Sequence, residues 1–133
     1  MKSWLNQGLK VLIYGIDTEE GSDACRQITT YGAQVVAGII HGGNPLELEW
    51  LTGLDIPSFY LVEQAIAAVP AIDLAMIFVD SYRVSDAVQE SIYGGIKHIL
   101  IITGNIPPQD MINLKQLAQN HGAHLLGGEF RDS

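Results

Sequence analysis

Apolar positions along the chain fall into short runs that alternate with amphipathic segments, and the two kinds of pattern trade places at near-regular intervals. Lys10–Gly15 (KVLIYG) is an apolar run that breaks at a glycine, and Ala33–Ile40 (AQVVAGII) is another. Asp73–Val79 is again almost wholly apolar, and Ile96–Ile102 repeats the pattern with His98 interrupting it. Runs of this length and continuity read as strands buried on both faces, which is the habit of parallel sheets. Ile56–Tyr60 and Ala123–Leu126 are shorter candidates for third and sixth strands. Between them lie segments with helical spacing: Ser22–Tyr31, Leu61–Val69, Ser85–Tyr93, and one from about Pro107–Gln109 to His121. Gly32, Gly94–Gly95 and Gly122 follow three of these helices as terminators. Ser22 and Asp23, just after Gly21, are placed to cap the first helix.

Strand and helix alternate without a linker, repeat or charge block, so the pattern predicts one domain over residues 1–133. It is an α/β, Rossmann-like three-layer domain. Right-handed crossovers then give a parallel sheet, most simply in strand order 3-2-1-4-5-6. In that order the strands reverse direction of progress between strands one and four, and ligands of such sheets bind outside the carboxyl ends at that point. The candidate binding residues are therefore Gly15, Ile16, Asp17, Thr18, Glu19, Glu20 and Gly21 after strand one. His41 follows strand two, Val79 and Asp80 end strand four, and Thr103 and Asn105 follow strand five.

Composition narrows the ligand. The 133 residues are 47% hydrophobic and 17% charged, with a formal net charge of −8 and a pI near 4.7. That balance excludes disorder and offers no basic patch for nucleic acid. The opening MKSWLNQGL is too short and polar for a signal peptide, and no apolar run reaches membrane length. A cytoplasmic protein with no membrane contact is the expectation. A single cysteine, Cys25, sits on a predicted helix and reads as a buried core thiol.

The first loop carries a conflict. A strand, a glycine turn and a helix N-terminus together aim backbone N–H groups and the helix dipole at one spot, which favours phosphate. Asp17, Glu19, Glu20 and Asp23 crowd the same spot, and the next base downstream is Arg26. As hard oxygen donors these carboxylates match no metal motif, and an exposed acidic first turn is their plainer reading. Arg83, near the end of strand four, is the base best placed to meet a phosphate.

These loops resemble the N-terminal, CoA-binding domain of the succinyl-CoA synthetase α-subunit family across nearly the whole chain. KVLIYGIDTEEG is similar to that family's strand followed by G-F-T-G-x-Q-G. Ile28–Gly38 (ITTYGAQVVAG) resembles its helix end, Tyr-Gly pair and second strand. Gly53–Phe59 with Val62–Ala65 follows L-G-L-P-V-F and V-x-E-A, and Ala75–Val79, Gly95–Thr103 and Ile106–Met111 continue in register. The resemblance implies a Rossmann fold that takes CoA as its ligand. Against the family's loop, Gly15 and Gly21 are kept, while its threonine is Asp17, its middle glycine Thr18 and its glutamine Glu20. The lysine that meets CoA phosphate corresponds to Gly43, the proline after strand four to Asp80, and the glutamate of T-E-G-I-P to Gly104. The phosphohistidine half of the family is not in this sequence, so catalysis is not expected of it.

Two function classes remain open at this point. One is a non-catalytic CoA- or nucleotide-binding domain. The other is a degenerate CoA-binding fold that acts as a protein-interaction or regulatory module, with Leu46–Leu51 (LELEWL) as an apolar flap for a second copy or a partner protein. No nucleophile with a neighbouring base is evident. His121 and His124 straddle a helix end and a strand and share no helical face, and His98 reads as a core or edge residue.

Overall fold

In the computed structural model, residues 8–40, 55–102 and 106–127 are described. Six strands form one parallel sheet in the order β3-β2-β1-β4-β5-β6, as the sequence pattern predicts. They are β1 (Lys10–Tyr14), β2 (Gln34–Ile39), β3 (Ser58–Phe59), β4 (Leu74–Ile77), β5 (His98–Ile101) and β6 (His124–Gly127). The helices are α1 (Glu19–Thr30), α2 (Val62–Ala68), α3 (Ser81–Tyr93) and α4 (Pro108–Asn120).

The sheet divides the core into two layers. Leu12, Tyr14, Ala37, Ile39, Ala75, Ile77, Ile99 and Ile101 pack on one side with residues of α2, α3 and α4. Val11, Ile13, Val35, Leu74 and Met76 face the other side with Cys25 and Ile28 of α1. Successive strand residues point to opposite faces, so covering both faces of β1 and β4 requires the unbroken apolar runs seen in the sequence. On α3 the buried positions Val84, Ala87, Val88, Ser91 and Ile92 recur at helical spacing, and the Ser91 hydroxyl donates to Ala87 O at 2.9 Å. Nothing polar is left unmet along that stripe.

Two helices begin earlier than the sequence predicts. α1 starts at Glu19 and not at Ser22, because Thr18 is its N-cap: Gly21 N donates to Thr18 Oγ1 at 2.9 Å. Ser22, read as a cap, lies inside the helix, and its hydroxyl donates back to Thr18 O at 3.0 Å. α3 starts at Ser81 and not at Ser85, with Asp80 as its flanking residue and Arg83 N donating to Asp80 O at 2.8 Å. The first five strands are one to three residues shorter than the apolar runs, and β6 is as long as its run but displaced by one residue, to His124–Gly127. His98 is exposed at the start of β5 and is no core residue. The Leu46–Leu51 flap lies outside the described residues.

Candidate functional site

The carboxyl ends of β1 and β4 lie side by side, with Tyr14 paired to Ile77 and, on the other flank, to Ile39 of β2. This is the point where progress along the sheet reverses. Gly15 leaves β1 with φ +91°, and a Cβ there would stand 2.2 Å from Phe78 O, so only glycine lets the chain turn against the end of β4. Its N–H donates to Ile39 O at 2.8 Å and that of Ile16 to the same oxygen at 3.2 Å, which ties the turn to β2 as well. The Ile16 side chain is fully buried beneath the loop. It lies against Gly38, where a Cβ would come 2.6 Å from Ile16 Cγ2. Ile16 is thus an anchor for the loop and does not face the crevice.

Thr18 closes the turn from above. Its hydroxyl donates to Gly15 O at 2.6 Å and accepts from Gly21 N at 2.9 Å, while Thr18 N also donates to Gly15 O, at 3.0 Å. A Cβ on Gly21 would stand 2.2 Å from Gly15 O, so the second glycine permits the helix to press onto the turn. One of the helix's unpaired first-turn donors is therefore engaged by the protein's own side chain. Glu19 and Glu20 occupy the first two helical positions and are exposed; Asp17 is partly buried in the turn. The Arg26 guanidinium pairs with Asp23, one turn back along the helix. The structure therefore brings Gly15, Ile16, Asp17, Thr18, Glu19, Glu20 and Gly21 together with Val79 and Asp80. Val79 is buried and Asp80 exposed at the start of α3. His41, Thr103 and Asn105 lie outside the described residues.

Behind the turn is a network that the sequence does not reveal. The Tyr14 hydroxyl donates to Glu90 Oε2 at 2.9 Å, and Glu90 Oε1 accepts from Val62 N at 3.4 Å. One carboxylate from α3 thus joins the end of β1 to the start of α2. Burial pushes the Tyr14 hydroxyl well above the ordinary tyrosine range, and the Glu90 hydrogen bond and the Glu90 and Asp86 charges add to that, with Arg83 opposing. Arg83 lies with its guanidinium carbon 5.3 Å from the Tyr82 ring centroid. Residues 76 positions apart carry the Tyr14–Glu90 contact, and no local motif marks it.

The family described as CoA binding domain matches residues 6–104. The chain belongs to that family. It is 36% identical over 111 residues to the α-subunit of an ADP-forming succinate–CoA ligase from Aquifex aeolicus, covering 84% of this chain and 34% of that one. An ADP-forming sulfoacetate-CoA ligase subunit from Bilophila wadsworthia is 30% identical over 128 residues, covering 96% and 42%. This CoA-binding domain thus spans less than half the length of the curated relatives it matches. Among solved structures, ATP citrate lyase from Methanothrix soehngenii in complex with citrate and coenzyme A superposes with a TM-score of 0.66. That match has 16% identity and covers 92% of this chain and 21% of that one. A dihydrodipicolinate reductase from Paenisporosarcina also gives 0.66 at 16% identity, covering 85% and 44%. At such identities the shared feature is the Rossmann-like fold. The sequence resemblance to the succinyl-CoA synthetase α-subunit N-terminal domain therefore holds, with the loop substitutions built into a closed, hydrogen-bonded turn. Among the described residues, no group of three or more histidine, cysteine or acidic side chains is arranged to hold a metal, and no helix is long and apolar enough to cross a membrane.

Proposed function

We propose that this chain is a non-catalytic CoA-binding module whose ligand lies over the Gly15–Gly21 turn, between the carboxyl ends of β1 and β4. The observation that carries the reading is the turn itself. Gly15 and Gly21 are each held where a side chain would meet a carbonyl at 2.2 Å, at the reversal point of a fold whose family takes CoA. The ligand's phosphates meet backbone N–H groups of the first turn of α1, with Glu19 and Glu20 opposing them. Binding is accordingly weaker than a lysine-bearing loop would give. Val79 and Asp80 flank the nucleotide, and His41, Thr103 and Asn105 complete the crevice in this proposal.

A thermal-shift screen with CoA, acyl-CoAs, NAD and ATP tests it, because a ligand bound to the native state raises apparent stability. A rise with CoA that exceeds the rise with NAD and ATP supports the assignment; no rise with any of them removes it. Absence of catalysis is part of the proposal. Acyl-CoA formation by the purified 133-residue chain from succinate, CoA and a nucleoside triphosphate would overturn that part.

A second reading, a degenerate fold serving as an interaction or regulatory module, is favoured by one observation. Thr18 engages the Gly21 N–H that a phosphate would otherwise receive. On that reading Leu46–Leu51 contacts a second copy or a partner protein. Light scattering with and without Trp50→Ala distinguishes it, since loss of a dimer would point to the flap.

A further inference from the structure

His98 and His124 open β5 and β6 and are directly paired in register. Both side chains are exposed. Their rings stack with centroids 5.2 Å apart and planes within 12°. Strand alternation sets them on the sheet face opposite α3 and α4, because Ile99 and Leu125 point into the core that those helices cover. Leu126 continues the same face at 45% exposure, and Ile102 just beyond β5 is 45% exposed. A cavity of about 440 Å³ bordered by His124, Leu126, Lys115 and Gln119 adjoins the edge of β6.

We propose that His98 and His124 form a two-histidine clip for a borderline transition-metal cation, of the zinc or nickel class. Imidazole nitrogen suits these ions, while the hard cations magnesium and calcium require oxygen donors, which the pair lacks. Zinc binds histidine nitrogen at about 2.0–2.1 Å, so two nitrogens on one tetrahedral ion stand roughly 3.3 Å apart. Neighbouring strands are about 4.8 Å apart, and rotation about the side-chain torsions of two exposed rings brings one nitrogen of each to that separation. Water fills the remaining positions, since no third histidine, cysteine or carboxylate among the described residues joins them.

His121 does not take part. Its Nδ1 lies 3.1 Å from Leu117 O, and its ring meets Tyr93 edge-on at 5.3 Å. The clip lies at the amino ends of its strands, whereas the Gly15–Gly21 turn lies at a carboxyl end. The two proposals therefore stand or fall separately.

The experiment is titration of Zn²⁺ and of Ni²⁺ into the full, tag-free chain at pH 7.5, followed by calorimetry and by two-dimensional NMR of the histidine rings. The wild type takes up one equivalent, and Ni²⁺ broadens the His98 and His124 ring signals before those of His41 and His121. His98→Asn and His124→Asn each weaken binding roughly tenfold or more, because one imidazole remains. His121→Asn leaves it unchanged. Unaltered affinity in both clip variants, or first broadening at His41 or His121, would overturn the assignment. The broadening pattern needs no variant, so it decides the question even where a substitution disturbs folding. Mg²⁺ run in parallel gives no response; an equal response to Mg²⁺ would contradict the proposal.

Discussion

The hydroxyl of Thr18 donates to the carbonyl of Gly15 at 2.6 Å, and so fastens the start of α1 to the end of β1. The same oxygen accepts from Gly21 N at 2.9 Å. A single side chain thereby does two things: it caps the helix and occupies a donor that a phosphate-binding turn would present. Thr18→Gly separates these roles. Replacing a threonine cap by glycine costs only a few tenths of a kcal/mol, yet it frees the Gly21 N–H. Under the binding proposal this variant takes CoA more tightly than the parent in a calorimetric titration, whereas Thr18→Ser keeps both stability and affinity. A Thr18→Gly variant with unchanged affinity would place the phosphate elsewhere.

Charge is the second barrier at the turn. Glu19 and Glu20 are exposed at the first two positions of α1. Glu19→Ser combined with Glu20→Gln removes two like charges from the path of an anion. The cost in helix stability is about 0.3–1 kcal/mol for each lost dipole interaction. Their repulsion is screened over about 8 Å at physiological ionic strength, so parental CoA affinity should rise with added salt. The double variant should bind more tightly than the parent and lose that salt response. Calorimetry at low and high salt checks both statements.

The glycines themselves are structural before they are functional. Gly15→Ala must fit a Cβ 2.2 Å from Phe78 O at φ +91°. Left-handed backbone and overpacking each cost roughly 1–3 kcal/mol, so urea denaturation should show a loss of about 2–4 kcal/mol. Gly21→Ala keeps helical backbone but meets Gly15 O at 2.2 Å, and a loss of about 1–3 kcal/mol is expected.

Tyr14 gives the fold an alkaline limit. Its hydroxyl is held protonated in the folded state by burial and by Glu90, well above the value of an unfolded tyrosine near 10. The folded form therefore retains a proton that the unfolded form releases. Stability contributed by the group is complete below about pH 10 and falls above it, by up to about 1.4 kcal/mol per pH unit. Tyr14→Phe should abolish this fall while losing about 1 kcal/mol at neutral pH through the missing hydrogen bond to Glu90. Denaturation midpoints at pH 8, 10 and 11 check the sign.

Much of this architecture is legible in the sequence, for identifiable reasons. A strand covered on both faces must be apolar throughout, so Val11–Tyr14 and Leu74–Val79 announce themselves, and right-handed crossovers then fix the strand order. The helix starts were harder to read. Ser22 and Thr18 are both competent caps, and the choice depends on how closely Gly21 approaches Gly15, a distance that sequence does not carry. The turn after β1 was likewise legible, because glycines at a strand end mark a turn. That Ile16 faces the core, and that Thr18 fills the turn, are matters of side-chain direction set by Gly38 and Gly21. The Tyr14–Glu90 and His98–His124 contacts join residues far apart in the chain. Only the register of the sheet and the packing of α3 bring them together, and no spacing rule foretells them.

The central claim is that CoA binds over the Gly15–Gly21 turn. Titration of CoA into isotope-labelled protein, followed by backbone amide NMR, tests it most directly. The account predicts saturable shifts largest at Gly15–Gly21, Val79 and Asp80, reversed by excess unlabelled competitor CoA-binding protein. Shifts confined to other surfaces, or none at millimolar CoA, would contradict it.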